Sequence, residues 1–289
     1  MRWEGNRQSD NVEDRRAGGG GGGFGFGGKS IGIGTIVIAL LAWGVFGINP
    51  LTTIGVLGGA GSQVSQPAPG QAPPANDQAA AFVSTVLAST EAAWTQIFRQ
   101  GGAQYREPRL VLFRGATPTA CGMGQSAMGP FYCPADQTVY LDMEFFETLQ
   151  RQLNAPGEFA RAYVIAHEVG HHVQTLLGTT GKVDSLRGRV SERENNALSV
   201  RMELQADCFA GIWANKSQQA KNWLEQGDLE SAMNAAARIG DDHLQRQQTG
   251  MVRPDTFTHG SSAQRQRWFA QGFKTGSVQA CDTFNAQSL

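Results

Sequence analysis

His167-Glu168-Val169-Gly170-His171 sets two histidines four residues apart, with a carboxylate directly after the first. In a helix, positions i and i+4 stack on one face, so both imidazoles can reach a single metal ion. Imidazole pairs of this kind suit zinc. Glu168 then lies beside the metal without ligating it, where its carboxylate can take a proton from water. That is an arrangement for metal-assisted hydrolysis. A catalytic zinc takes three protein ligands and keeps one position for water, so a third must come from elsewhere in the chain. The sequence Ser191-Glu192-Arg193-Glu194 fits a capping box opening a helix that carries Glu203 and Asp207 on one face. Glu203 is the candidate third ligand. Asp207 is the candidate acceptor for the other ring nitrogen of a ligand histidine, fixing its tautomer and orientation. The plain alternative is a solvated acidic face, against which Leu198, Met202, Phe209 and Trp213 mark the opposite side of this helix as buried.

Other histidines are read first as ordinary ones. His172 lies about 100° round the helix from His171 and should not share its metal, so it is a packing or surface residue. His243 follows Asp241 and Asp242 and reads as part of an exposed helix.

Around these residues the chain is organised for a mostly helical domain. Asp77 can cap a helix running to about Gln100, with Phe82, Val86, Leu87, Trp94, Ile97 and Phe98 as its apolar stripe. Arg109 to Phe113 reads as a strand and Thr138 to Leu141 as another, separated by a Gly, Pro and Ser-rich loop holding Cys121 and Cys133. Helical patterns then cover Met143 to Leu153, Pro156 to Leu177, Ser191 to Asn215, Gln218 to Glu225, Asp228 to Gln248 and Ser261 to Phe273. The fold class is α+β, mainly helical, with a small antiparallel sheet.

The N-terminal third has a different composition. Residues 1–29 read as a disordered, Gly-rich cytoplasmic tail, ending in GGGGGGFGFGG and Lys29. Ile31 to Ile48 is 18 residues without a charge, and residues 30–57 are long enough to span a bilayer core. Arg2, Arg7, Arg15, Arg16 and Lys29 precede this stretch, and the next basic residue is Arg99, so the positive-inside rule predicts a cytoplasmic N-terminus and one crossing. A cleaved signal peptide is the competing reading, with small residues at Gly58 and Ala60. The apolar run is longer and begins later than such peptides require. Residues 58–77 form a Pro/Gly-rich linker, and residues 78–289 the folded domain.

Charge and cysteine content narrow the function classes. Twenty-four Lys and Arg against 25 Asp and Glu, with no basic run, give no field to recruit nucleic acid. Four cysteines without a C-x-x-C spacing fit disulfides in an oxidising compartment better than a zinc cluster. Of the three pairings open to four cysteines, Cys121 with Cys133 across one loop and Cys208 with Cys281 is favoured.

The segment HEVGHHVQ (167–174) followed by ELQAD (203–207) resembles the gluzincin zinc peptidases, whose second helix supplies a Glu ligand in an E-x-x-x-D arrangement. THGSSAQR (258–265) is similar in spacing to the H-x-x-x-x-x-R element of heat-shock and prenyl-protein membrane endopeptidases, except that Gly260 stands where the heat-shock group has Pro. Residues 78–289, including RLVLF, the cysteine loop and HGSSAQRQRWF, most resemble the bacterial "putative neutral zinc metallopeptidase" family of single-pass membrane proteins, and the tail and apolar stretch also fit it. The resemblance implies a zincin-like domain holding Zn2+ and acting on protein or peptide substrates. It implies location at the bacterial inner membrane, with the catalytic domain periplasmic or otherwise extracytoplasmic. It also nominates His259 and Arg265 as catalytic: His259 as a hydrogen-bond donor to the oxyanion, with Arg265 orienting it or the substrate. An extended substrate could pair with the strand around Val139. The rival reading is a non-catalytic, membrane-tethered module in which zinc is structural, and Glu168 argues against it because a structural site needs no base.

Overall fold

The computed structural model describes residues 1–16, 71–126 and 129–289. The stretch read as membrane-spanning, residues 30–57, lies outside them. Among the described residues no helix is long and apolar enough to cross a membrane.

Two layers position the site. One is a four-stranded sheet built from β1 (Val12–Asp14), β2 (Arg109–Phe113), β5 (Phe131–Cys133) and β6 (Thr138–Asp142), in the order β1-β2-β6-β5. The expected antiparallel pairing of β2 with β6 is not what forms. These strands run parallel, Leu110 opposite Val139 and Leu112 opposite Leu141. The intervening residues 114–137 make this possible, because they form a crossover containing a hairpin of β3 (Ala116–Thr119) and β4 (Gly122–Gln125), followed by β5. Antiparallel pairing is confined to that hairpin and to β5 with β6. Every residue of β6 is buried, as its unbroken TVYLD run suits for a central strand. Val139 is therefore flanked on both sides, and the sheet edges lie at β1 and β5. The loop expected to hold Cys121 and Cys133 is this hairpin and strand, tied together by a Cys121–Cys133 disulfide.

The second layer is helical: α1 (Gln78–Gln100), α2 (Glu144–Arg151), α3 (Glu158–Leu176), α4 (Thr179–Leu186), α5 (Glu192–Lys221), α6 (Asp228–Arg238), α7 (Asp241–Thr249) and α8 (Ser262–Thr275). Asp77 caps α1 by accepting from the Ala80 N–H at 3.0 Å. The capping box at Ser191 forms as read, with Glu194 returning to the Ser191 N–H at 2.9 Å. Two boundaries differ from the sequence reading. α5 runs through Gln218 to Lys221 without a break, and the pattern from Asp228 to Gln248 is two helices parted at Gly240. At Gly240 a Cβ would stand 2.5 Å from the Ser262 nitrogen, so the chain needs a glycine where it passes the start of α8.

Residues 1–16 are the largest departure. The expected disordered tail instead folds onto the domain, where β1 adds a parallel strand to β2, with Val12 opposite Leu110 and Asp14 opposite Leu112. Composition could not reveal this, because the partners lie about a hundred residues away. Glu91 on α1 is 1% exposed, and its carboxylate receives Arg7, the Ser9 hydroxyl and the Asn11 amide. A buried carboxylate is costly unless paired and hydrogen-bonded, and this arm supplies the partners.

The tightest helix contact is α5 against α8. At Gly272 a Cβ would sit 1.9 Å from the Cys208 carbonyl oxygen, and at Gly211 one would sit 2.1 Å from that of Phe269. Both glycines let the two backbones touch. A Cys208–Cys281 disulfide ties α5 to the short turn Val278–Cys281 that follows α8. Gly272→Ala should therefore force the helices apart and cost about 1–3 kcal/mol, the usual scale of overpacking. Urea unfolding of wild type and variant measures it, and an unchanged midpoint would refute the close approach.

Candidate metal centre

α3 is the helix that carries the H-E-x-x-H sequence, and it is buried along most of its length. Within it, Gly170 faces α5, where a Cβ would lie 3.0 Å from the Ala206 carbonyl oxygen. This near contact brings the Glu203 to Asp207 turn against His167 and His171. His167 Nε2 is 3.1 Å from Glu203 Oε2, and His171 Nε2 is 3.4 Å from Glu203 Oε1. The three donor atoms all lie within 4.8 Å of one another. Tetrahedral ligands at zinc's usual bond lengths stand about 3.4 Å apart, so two imidazoles and a carboxylate at this spacing fit the ion. Glu168 is buried beside them, at 8% exposure, without joining the cluster.

Both histidine ligands are held from behind. His167 Nδ1 lies 2.8 Å from Asp207 Oδ1, the relation expected from the sequence. Asp207 is fully buried, and Arg265 meets it through Nε at 2.8 Å and a terminal nitrogen at 3.0 Å. The Tyr163 hydroxyl donates to the same carboxylate. Burial alone would raise the Asp207 carboxyl, yet Arg265 and His167 outweigh it and hold the group below its ordinary value. Burial likewise disfavours a charged His167 ring, but Asp207 and then Glu203 lift it to about 10. The carboxylates of this pocket thus favour positive charge, which is what a divalent cation supplies.

The family resemblance implies that Arg265 orients His259 or the substrate. The structure directs it elsewhere: it is 2% exposed, with its guanidinium on Asp207, the Tyr163 hydroxyl and the Ile239 carbonyl. It cannot meet substrate there, and it acts through Asp207 on His167.

Three supporting residues escaped the sequence reading. Gln174 Oε1 lies 2.9 Å from His171 Nδ1, while its Nε2 donates to the Met202 carbonyl at 2.7 Å, which ties the second ligand to α5. Tyr163 stands one turn before His167, and a polar tip at that i−4 position was a readable signal. Asp241 receives the backbone N–H groups of Thr258, His259 and Gly260 on one oxygen, at 2.7, 2.7 and 3.0 Å, and lies 3.3 Å from His259 Nδ1 with the other. Nothing local in the sequence links Asp241 to residues 258–260.

His259 is partly open, its side chain 37% exposed, and near enough to Glu203 to feel its charge. Burial lowers its pKa, but Asp241 and Glu203 together raise it above the ordinary imidazole value. His172 is fully buried between the Arg106 carbonyl, 2.6 Å from Nε2, and the Tyr132 hydroxyl, 3.0 Å from Nδ1. It is a packing residue. His243 lies on α7 outside the donor cluster.

A family model described as "Putative neutral zinc metallopeptidase" matches residues 1–284, which includes both the N-terminal arm and this donor set. The chain belongs to that family. Its cofactor is accordingly Zn2+, and the His167, His171 and Glu203 donors fit it. Similar proteins include "Uncharacterized protein YpfJ" of Escherichia coli K12, 52% identical over 289 residues and covering 98% of this chain and 99% of the relative. "Uncharacterized protein Mb2605" of Mycobacterium bovis is 43% identical over 211 residues, covering 70% of this chain and 69% of the relative. No solved structure matches.

The geometry separates ligands from their supports. Glu203→Ala should abolish stoichiometric zinc retention through gel filtration. Gln174→Ala and Asp207→Ala should each weaken zinc about 10- to 100-fold, the scale of losing a group that orients a ligand. Metal titration against a chelating dye checks all three, and wild-type affinity in Glu203→Ala would remove it from the site.

Proposed function

We propose that this metallopeptidase is an active endopeptidase that hydrolyses peptide bonds in protein or peptide substrates. The observation that carries the reading is Glu168: a buried carboxylate beside three convergent donors, yet outside their cluster. A purely structural zinc site has no use for it.

The chemistry supplied by bound zinc is Lewis-acid polarisation and a water made acidic near neutral pH. The remaining work falls to the chain. Glu168 accepts the proton of the attacking water and returns it to the leaving amine. Burial raises its carboxyl above the ordinary value, against the pull of His167 and His171, which favours proton acceptance. His259, held by Asp241, donates to the carbonyl oxygen as negative charge develops there. Arg265 is a positioning residue, keeping Asp207 charged so that His167 presents Nε2 to the metal. An extended substrate would pair along β5, since β6 has no free edge.

Two disulfides support a domain that works in an oxidising compartment outside the cytoplasm. The uncharged stretch Ile31 to Ile48 supports attachment to the bacterial inner membrane.

The purified chain should cleave an unfolded protein substrate, lose activity to a chelator and regain it with zinc. Glu168→Gln should lower kcat by about 10²- to 10⁴-fold, the scale of general base catalysis, while keeping about one zinc per chain. Loss of zinc in this variant, or full activity, would overturn the assignment.

His259 gives the reaction a pH signature. Asp241 and Glu203 favour the protonated ring, which loses its charge as pH rises through a folded pKa above the ordinary imidazole value. The kcat profile should therefore fall on its alkaline side. Asp241→Asn removes the stabilising carboxylate and should move that limb to lower pH, whereas an unmoved limb would dismiss His259 as the donor.

A further inference from the structure

The N-terminal arm constrains on which side of a membrane the N-terminus lies, given the preceding reading that the apolar stretch meets one. Residues 1–16 and the residues just before α1 are joined at a single point. The Asp14 N–H donates to the Gln71 carbonyl at 2.7 Å, and Arg16 bridges Asp14 at 2.6 Å and Asp77 at 2.7 Å. Burial disfavours a charged arginine, but Asp14 above all, with Asp77, overrides it and raises the Arg16 pKa further. The end of the arm and the residues that lead into α1 are thus held together on the domain.

The arm is not loosely laid on the surface. Besides the β1–β2 pairing, the Arg2 N–H donates to the Trp223 carbonyl at 2.9 Å, and the Ser9 N–H donates to the Ser84 carbonyl at 3.0 Å. Trp3 packs edge-on against Phe82 and donates to Glu158 at 2.9 Å. Val12 is buried in the main core.

The charges that predicted a cytoplasmic N-terminus are also accounted for. Arg2 faces Glu225, Arg7 faces Glu91, Arg15 faces Glu13, and Arg16 faces Asp14 and Asp77. Four of the five basic residues before Ile31 are thereby paired with carboxylates, and the fifth, Lys29, lies outside the described residues. The positive-inside rule weighs Lys and Arg whatever carboxylates lie near, so these pairs do not weaken it; they instead tie four of the residues it counts to the folded domain.

We propose that the N-terminus lies on the same side of the membrane as the metal centre, with the arm docked as an integral strand of the peptidase domain. A segment whose two ends are held together on one side can cross a bilayer only an even number of times. Two helical crossings need about 40 apolar residues. Residues 31–57 number fewer, so they are too short for two helical crossings. The single crossing read from the sequence is incompatible with the docked arm.

Impermeant maleimide labelling of the full chain in intact cells and spheroplasts tests this, since all four native cysteines are in disulfides. Asp10→Cys and, as a second arm position, Gln8→Cys report the arm; Gln271→Cys, exposed on α8, reports the domain. Only chain recovered in carbonate-washed membranes is scored, and permeabilised cells give the full signal. The expected result is equal labelling of arm and domain positions before permeabilisation. Labelling of Gln271→Cys without either arm variant overturns the proposal and leaves the peptidase reading intact. Absence of the chain from the washed membranes overturns the membrane reading on which the proposal rests, and peptide hydrolysis is unaffected by either result.

Discussion

A charged pair with almost no access to water sits at the centre of this protein. Asp207 and Arg265 are 0% and 2% exposed, and each would be strongly unfavourable there without the other. Removing one partner of such a pair typically costs about 3–5 kcal/mol, because the remaining charge stays buried. The pair is also the meeting point of three helices: α5 brings Asp207, α8 brings Arg265, and α3 brings His167 and Tyr163 against the carboxylate. A core of apolar groups would hold these helices as firmly, but it would not specify which ring nitrogen of His167 faces the metal. The carboxylate does, by occupying Nδ1.

The rest of the helical layer is consistent with that requirement. Arg265 reaches Asp207 only because α8 lies directly on α5, and the glycines at 211 and 272 permit backbone contact there. The Cys208–Cys281 disulfide holds the turn beyond α8 against the residue that follows Asp207 in the chain. Gln174 performs for His171 what Asp207 performs for His167, with a neutral amide in place of a charge. Ligand orientation is therefore distributed over α3, α5 and α8, and the site is as rigid as their packing.

The sheet and the arm raise a related point about charge. Glu91 is as buried as Asp207, but its partners come from residues 7–11, near the far end of the chain. An N-terminal segment that looked like a solvated tail by composition is thus needed to complete both a sheet edge and a buried carboxylate. Low hydrophobicity argues for disorder only when a segment has nothing to pair with, and parallel addition to β2 uses backbone groups that composition does not register.

What the sequence determined by itself was local. The i, i+4 spacing of His167 and His171, the neighbouring Glu168, the shared face of Glu203 and Asp207, and the caps at Asp77 and Ser191 all depend on helical periodicity over a few residues. The long helices followed from the same signal. Tertiary structure decided what depends on distant partners: that β2 and β6 run parallel, that residues 1–16 belong to the domain, and that Gly240 splits one helical pattern at the approach of Ser262. It also decided that Arg265 serves Asp207, that Gln174 serves His171, and that Asp241 gathers the backbone around His259. In each of these the energy lies in pairing a polar or charged group across the fold, and no periodicity along the chain records which group will meet which.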